Sequence, residues 1–265
     1  MKPICISCVA ILLSGVAARS QPVAEQPSID PAGIKGAVVL AGDELPSEAM
    51  DAFHRLGGGA EARLVVLRIG DGDKTKEVSS RLTSHWSGKE WKSLQAHRLG
   101  AGGRVDEEAL SALRSATGVW LACENASGYR ETFHVDSIRS EIRSLQGRGG
   151  VFGIAGEGVT VATARTFTNE GIDGDVVSLG PNLLPGAIVE TLSPSGEGAS
   201  RLLATMAAQP GMFGCEIDAN AALVAQGRRL RAVGGGGVRL HLAASGSRPA
   251  KQIDLDDSRA IADLT

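Results

Sequence analysis

The chain has 265 residues, 43% of them hydrophobic and 22% charged, a balance that fits a globular domain and excludes disorder, collagen and coiled coil as the whole answer. A net charge of −3 and 3% aromatic residues argue against a nucleic-acid binder with a basic face or a stacking platform for bases. Glycine, at 35 residues, is nearly double the usual ~7% and points to tight turns where strands meet helices.

At the amino terminus Lys2 precedes an apolar run over residues 4–16, and Val16, Ala17 and Ala18 form a small-residue cleavage pattern. This predicts a signal peptide over residues 1–18. The run is short for a membrane span of about 20 residues, and no later stretch reaches that length, so an exported chain, periplasmic or extracellular, with no membrane span after cleavage is expected. Residues 19–34, with Pro22, Pro27 and Pro31, read as a linker. After cleavage the four cysteines reduce to Cys123 and Cys215, which are either a disulfide or two buried thiols. No Cys/His spacing suggests zinc, and neither a metal nor a cofactor is expected.

The domain proper is expected over residues 35–250. Residues 36–41 (GAVVLA) are a buried parallel strand ending at Gly42, and residues 46–56 carry helical spacing. Residues 63–69 (RLVVLRI) are the next strand. Residues 78–91 and 105–116 are amphipathic, the second with Asp106 as its N-cap. Residues 118–123 (GVWLAC) are a strand, 137–145 a helix, and 149–154 (GGVFGI) a strand. Strands alternating with helices predict a three-layer α/β/α domain with a mostly parallel central sheet. Residues 187–190, 214–218, 222–225 and 238–242 predict antiparallel edge strands from the C-terminal third. The four glycines at 234–237 are a turn and not a phosphate loop, since no Lys-Ser/Thr follows. Residues 251–265 read as a tail, whose acidic residues 254–257 lack the glycine and distal glutamate of a calcium loop.

The strand over 149–154 runs into a small-residue turn, Ala155-Gly156-Glu157-Gly158, and then into a run read as helical. That is the shape of a nucleophile elbow, in which a serine or cysteine sits on a strained turn. Here the tip is Gly156.

Taken in order, several segments resemble the cyanophycinase and aspartyl dipeptidase family of serine peptidases, whose domain is similar to class I glutamine amidotransferases. The resemblance runs from about Lys35 to about Leu242. It is carried by KGAVVLAG at 35–42, GGAEARLVV at 58–66, ATGVW at 116–120 before the family's GG(D/N)Q loop, and GGVFG at 149–153 before its G-T-S-A-G-A elbow. LLPGAIV at 183–189, RLL at 201–203, and residues 210–218 with 221–224, matching P…GIGIDE-x-TA, complete it. The resemblance implies a hydrolase scaffold, a possible homodimer, and a Ser-His-acid relay. On this alignment the serine falls on Gly156, the following alanine on Glu157, the histidine on Leu192 and the acid on Ala219. The GG(D/N)Q loop falls on residues 122–125, with Glu124 and Asn125, and nearby family arginines fall on Gly196 and Gly198.

A relay needs a nucleophile, a base and a group that orients the base. All three positions are substituted inside an otherwise matching scaffold. The sequence therefore predicts a protein without serine hydrolysis that binds a peptide, an amino-acid-like ligand or a protein partner. Gly42, Glu124, Asn125, Ser127, Gly156, Glu157, Gly158 and Asp218 are the pocket candidates. Glu157, Glu124 and Asp218 would suit an amine or guanidinium. The competing expectation is an active hydrolase with a relocated nucleophile, Ser127, or an acid pair built from Glu157 and Glu124. His134 is the nearest histidine by position.

Overall fold

A computed structural model describes residues 33–69, 84–99, 105–123, 135–163, 165–167, 176–179, 181–192, 197–209, 211–244, 249–256 and 261–263. The residues of the expected signal peptide, and all but the last two of the expected linker, lie outside this set.

The first strand, β1 (Ile34–Ala41), is buried from Gly36 onward. A strand apolar on both faces needs cover on both. Its parallel neighbour is β5 (Val151–Ala155), followed outward by β4 (Gly118–Cys123), β2 (Arg63–Ile69) and β3 (Ser93–Leu99). On its other edge β1 pairs antiparallel with β10 (Ala221–Gly227), which continues to β11 (Arg229–Gly234) and β14 (Ile261–Asp263). The result is an eight-stranded mixed sheet with a parallel heart, as the alternating pattern predicts.

One face of this sheet is covered by α1 (Ser47–Leu56), which buries Ala49, Ala52 and Phe53. Phe53 packs against Trp86 and Trp120 with ring centroids 5.1 and 5.3 Å away. The opposite face receives α2 (Glu107–Ser115) and α3 (Asp136–Gly147). Asp106 caps α2 as predicted, its Oδ1 accepting from the Ala109 amide at 2.7 Å. In α3, Ile138, Ile142 and Leu145 recur at helical spacing and are buried.

The C-terminal third departs from expectation in three ways. Part of it forms a second sheet of four strands, ordered β13 (Lys251–Leu255), β12 (Val238–Leu242), β9 (Phe213–Ile217) and β8 (Ala187–Thr191). Within it β8 and β9 run parallel, so it is not a meander of edge strands. One face, with Val189, Cys215, Leu240 and Leu255, joins the core under α2 and α3. The other face is partly covered by α4 (Glu197–Ala208), through Leu202 and Met206 on Ile188. Finally, the segment read as a tail supplies β13 and β14, so the expected boundary at residue 250 does not hold. Alternation in residues 251–255 is the signal that was available, masked by their charge.

β3 was not expected as a strand; its residues are mostly half-buried and polar, as befits a sheet edge. β6 (Arg165–Phe167) and β7 (Val176–Leu179) form a small antiparallel pair. Among the described residues no helix is long and apolar enough to cross a membrane.

Candidate functional site

The parallel strands β1 and β5 end side by side, Ala41 opposite Ala155. Beyond them the chain turns at Gly42 and at Gly156. In open α/β sheets this carboxyl edge is where ligands gather. The Gly156 amide donates to the Gly42 carbonyl at 3.0 Å, which locks the two turns together. The Gly42 amide in turn donates to the Ala221 carbonyl at 2.9 Å, and the Glu44 amide to the Ala219 carbonyl at 2.7 Å. A Cβ at Gly42 would lie 2.2 Å from the Asp218 carbonyl oxygen, so only glycine fits there. Thus the turn at residues 218–221, between β9 and β10, lies directly against the β1 turn. Leu192 joins from β8, its amide donating to the Ile217 carbonyl at 2.8 Å.

The fold therefore gathers Gly42, Gly156, Glu157, Asp218, Ala219 and Leu192 at one end of the strands. Gly156 has φ +64°, the left-handed conformation of a sharp turn. A Cβ built on it meets only Asp43 Oδ1, at 3.8 Å. There is room for a side chain, and the sequence supplies none. Asp43 was missed by the sequence reading; its position one residue past the strand-ending glycine was the available signal.

Three candidates are placed differently from expectation. The run after Gly156 is not an α-helix but a short 3₁₀ segment, Gly156–Val161. It provides no α-helical macrodipole behind Glu157. Glu157 is exposed, whereas Gly158 is buried within the segment and offers no surface. Asp218 is half-buried and committed: its Oδ2 accepts from the Gly237 amide at 2.8 Å, and a Cβ at Gly236 would fall 2.8 Å from its Cβ. The glycines at 234–237 are thus a turn wrapped on Asp218, consistent with reading them as a turn. Glu124, Asn125, Ser127 and His134 lie outside the described residues, as does Gly196. Gly198 opens α4 against the Thr191 carbonyl.

None of the described histidines serves the Gly156 turn. His54 bonds the Glu90 carbonyl at 2.8 Å, His97 bonds Gln95, His241 bonds Glu216, and His85 is exposed on the turn next to Trp86 in the α1 layer. Among the described residues no group of three potential ligands could hold a metal.

Behind Leu192 lies a buried polar network on the outer face of the second sheet. Glu190 and Glu216 are register partners on β8 and β9, each only 3% exposed. Arg201 donates through Nε and Nη2 to Glu190 Oε1, at 3.0 and 2.8 Å. Arg239 Nη1 and His241 Nε2 donate to Glu216 Oε2, at 3.1 and 2.8 Å. Glu216 Oε1 is buried with no partner among the described residues. Burial pushes the Glu190 carboxyl up to about 6, against the opposing pull of Arg201, with Glu216 adding to the rise. Cys215, on the opposite face of β9, is a free, fully buried thiol. Burial pushes its pKa up, which leaves it unreactive at neutral pH.

No known protein family profile matches the chain, and no curated protein matches it. Solved structures do. The fold is similar to that of a peptidase from an acI-B1 Actinobacterium, at 12% identity and TM-score 0.58, covering 88% of this chain and 98% of that one. It is also similar to a provisionally assigned peptidase E protein from Listeria monocytogenes EGD-e, at 9% identity and TM-score 0.51, covering 75% of this chain and 98% of that one. At such identities the likeness is one of fold.

Proposed function

We propose that this protein is an exported relative of the cyanophycinase-like and peptidase E-like peptidases that has given up serine hydrolysis and uses the strand-end turn to bind a peptide or amino-acid-like ligand. The peptidase-like fold supports the scaffold half of this reading. The observation that carries the other half is Gly156: it occupies the tip of the turn in the left-handed conformation, with open space before it and no hydroxyl or thiol. On the sequence resemblance the base and its orienting acid fall on Leu192 and Ala219, neither of which can take a proton. A relay fails as a unit when its members are removed. What the turn does present is carboxylate: Asp43 and Glu157 exposed, with Asp218 behind them. Such a rim repels an oxyanion and attracts an amine or guanidinium, so a basic amino acid or the amino end of a peptide is the fitting ligand class. Export rests on the amino-terminal pattern of residues 1–18.

The test is hydrolysis of β-aspartyl-arginine polymer and Asp-X dipeptides by the purified chain, beside a Gly156→Ser, Leu192→His, Ala219→Glu triple variant. The natural chain is expected to be inactive, and to bind arginine-bearing peptides with an affinity lowered in Asp43→Asn and Glu157→Gln. Hydrolysis by the natural chain that is lost in Ser127→Ala would overturn this reading in favour of a relocated nucleophile.

A further inference from the structure

At the end of the large sheet remote from Gly156, a cavity of about 270 Å³ is lined by Arg55, Leu56, Val224, Gln226, Arg229, Arg231 and Ile261. Two cross-strand rows build its floor. Val224, Arg231 and Ile261 are consecutive register partners across β10, β11 and β14. Gln226, Arg229 and Asp263 form the next row on the same face. The C-terminal turn of α1 supplies Arg55 and Leu56 as the wall. Val224 is buried at the bottom, while Arg55, Arg229 and Ile261 are exposed at the mouth.

Three guanidinium groups thus converge on one cleft of a chain whose net charge is −3. Among the described residues none of the three has a carboxylate within ion-pair distance. The nearby carboxylates make their hydrogen bonds to other cations: Asp263 accepts from Arg228 Nε and Nη2 at 3.1 and 2.8 Å, and Asp51 from Lys89, with Arg55 adding only a weaker through-space attraction to Asp51. Like charges gathered with no directly paired carboxylate repel one another, and a guanidinium fork is shaped for a two-oxygen anion. Beside the arginines the lining is apolar at Val224, Leu56 and Ile261 and polar at Gln226. At about 30 Å³ per water, the space equals roughly nine waters, the scale of a small molecule.

We infer that this cleft is a binding site for a small organic oxyanion, a carboxylate or phosphate monoester carrying an apolar body, separate from the strand-end turn. The anion sits in the forks of Arg229 and Arg231 with Arg55 closing over it, and the apolar body lies on Val224 and Ile261.

The test titrates the purified chain with benzoate, phenyl phosphate and neutral benzamide, followed by calorimetry and by the Val224 and Ile261 methyl resonances. One or both anions are expected to bind and shift those methyls, and which does so separates carboxylate from phosphate. Benzamide is expected to bind at least tenfold more weakly. Arg231→Gln and Arg229→Gln are each expected to weaken the anion about tenfold, as loss of a charge-assisted hydrogen bond does. Arg229→Lys, which keeps charge but not the fork, is expected to recover only part of the loss. Should Arg231→Gln fail to fold, Arg229→Gln at the exposed rim decides alone. Equal binding of benzamide, unchanged affinity in the folded arginine variants, or binding of an acidic peptide with no response to either small anion overturns the inference.

Discussion

A single glutamate shows how burial turns into a measurable property. Glu190 is held by Arg201, yet lies against Glu216 with almost no water, and its carboxyl titrates near 6 in place of the ordinary 4.5. The folded state therefore holds this proton more tightly than the unfolded state does. Between pH 4.5 and 6 the folded chain carries more protons, so stability falls as pH rises through that window and is level above it. At 1.36 kcal/mol per pKa unit the loss is about 2 kcal/mol. Urea unfolding from pH 4 to 7 is expected to show this slope in the natural chain and a flatter curve in Glu190→Gln. Parallel curves for the two proteins would show that Glu190 is not the group responsible. Glu216 Oε1 beside it, with no partner among the described residues, marks the same place as costly. None of this was legible in the sequence, where residue 190 is only the end of a strand expected over 187–190.

Elements are more legible than their companions. Strands β1, β2, β4 and β5 were predictable because apolar runs bounded by glycine and polar residues have few other uses in a chain this size. Their packing follows from residues no run reveals. Gly153 lies in the middle of β5, and a Cβ there would sit 2.1 Å from Cε3 of Trp120. That indole is fixed between Phe53 and Trp86, so it has nowhere to move. Gly153→Ala is expected to cost 3 kcal/mol or so, at the upper end of overpacking penalties. Gly149→Ala, at φ +87° with open space around it, is expected to cost only about 1 kcal/mol of backbone strain. Chemical denaturation of the two variants checks the order, and equal losses would mean that the β5 layer gives way more easily than its contacts imply. The same distinction explains the site. The elbow's location could be read from an apolar strand running into small residues. Its missing helix could not, because GEGVTV has neither the length nor the periodicity to separate a 3₁₀ segment from a first helical turn. Asp43 escaped because a carboxylate after a strand-ending glycine is ordinary turn chemistry until the fold sets it against Gly156.

Among the described residues the two larger sheets carry the core, and what they share decides whether they act as one body. Val38, Leu121, Ile154 and Leu223 of the large sheet lie in the same buried cluster as Val189, Cys215, Leu240 and Leu255 of the small one. Helices α2 and α3 contribute Leu113, Ile138 and Ile142 to that cluster. The opposite layer holds Phe53, Trp86 and Trp120 under α1. A chain whose two layers share the central strands has no interface along which to separate, so unfolding is expected to be one cooperative transition. Two native probes sit on opposite sides of it. Tryptophan fluorescence reports the α1 layer, since Trp86 and Trp120 are buried there. Alkylation of Cys215 reports the small sheet, in a variant with Cys5, Cys8 and Cys123 replaced by serine. Both are expected to give the same urea midpoint. An earlier midpoint for Cys215 would make β8, β9, β12 and β13 a separately opening unit. The strand-end turn would then lose the support of residues 217–221 before the parallel sheet unfolds, and any ligand held there would raise the Cys215 midpoint alone.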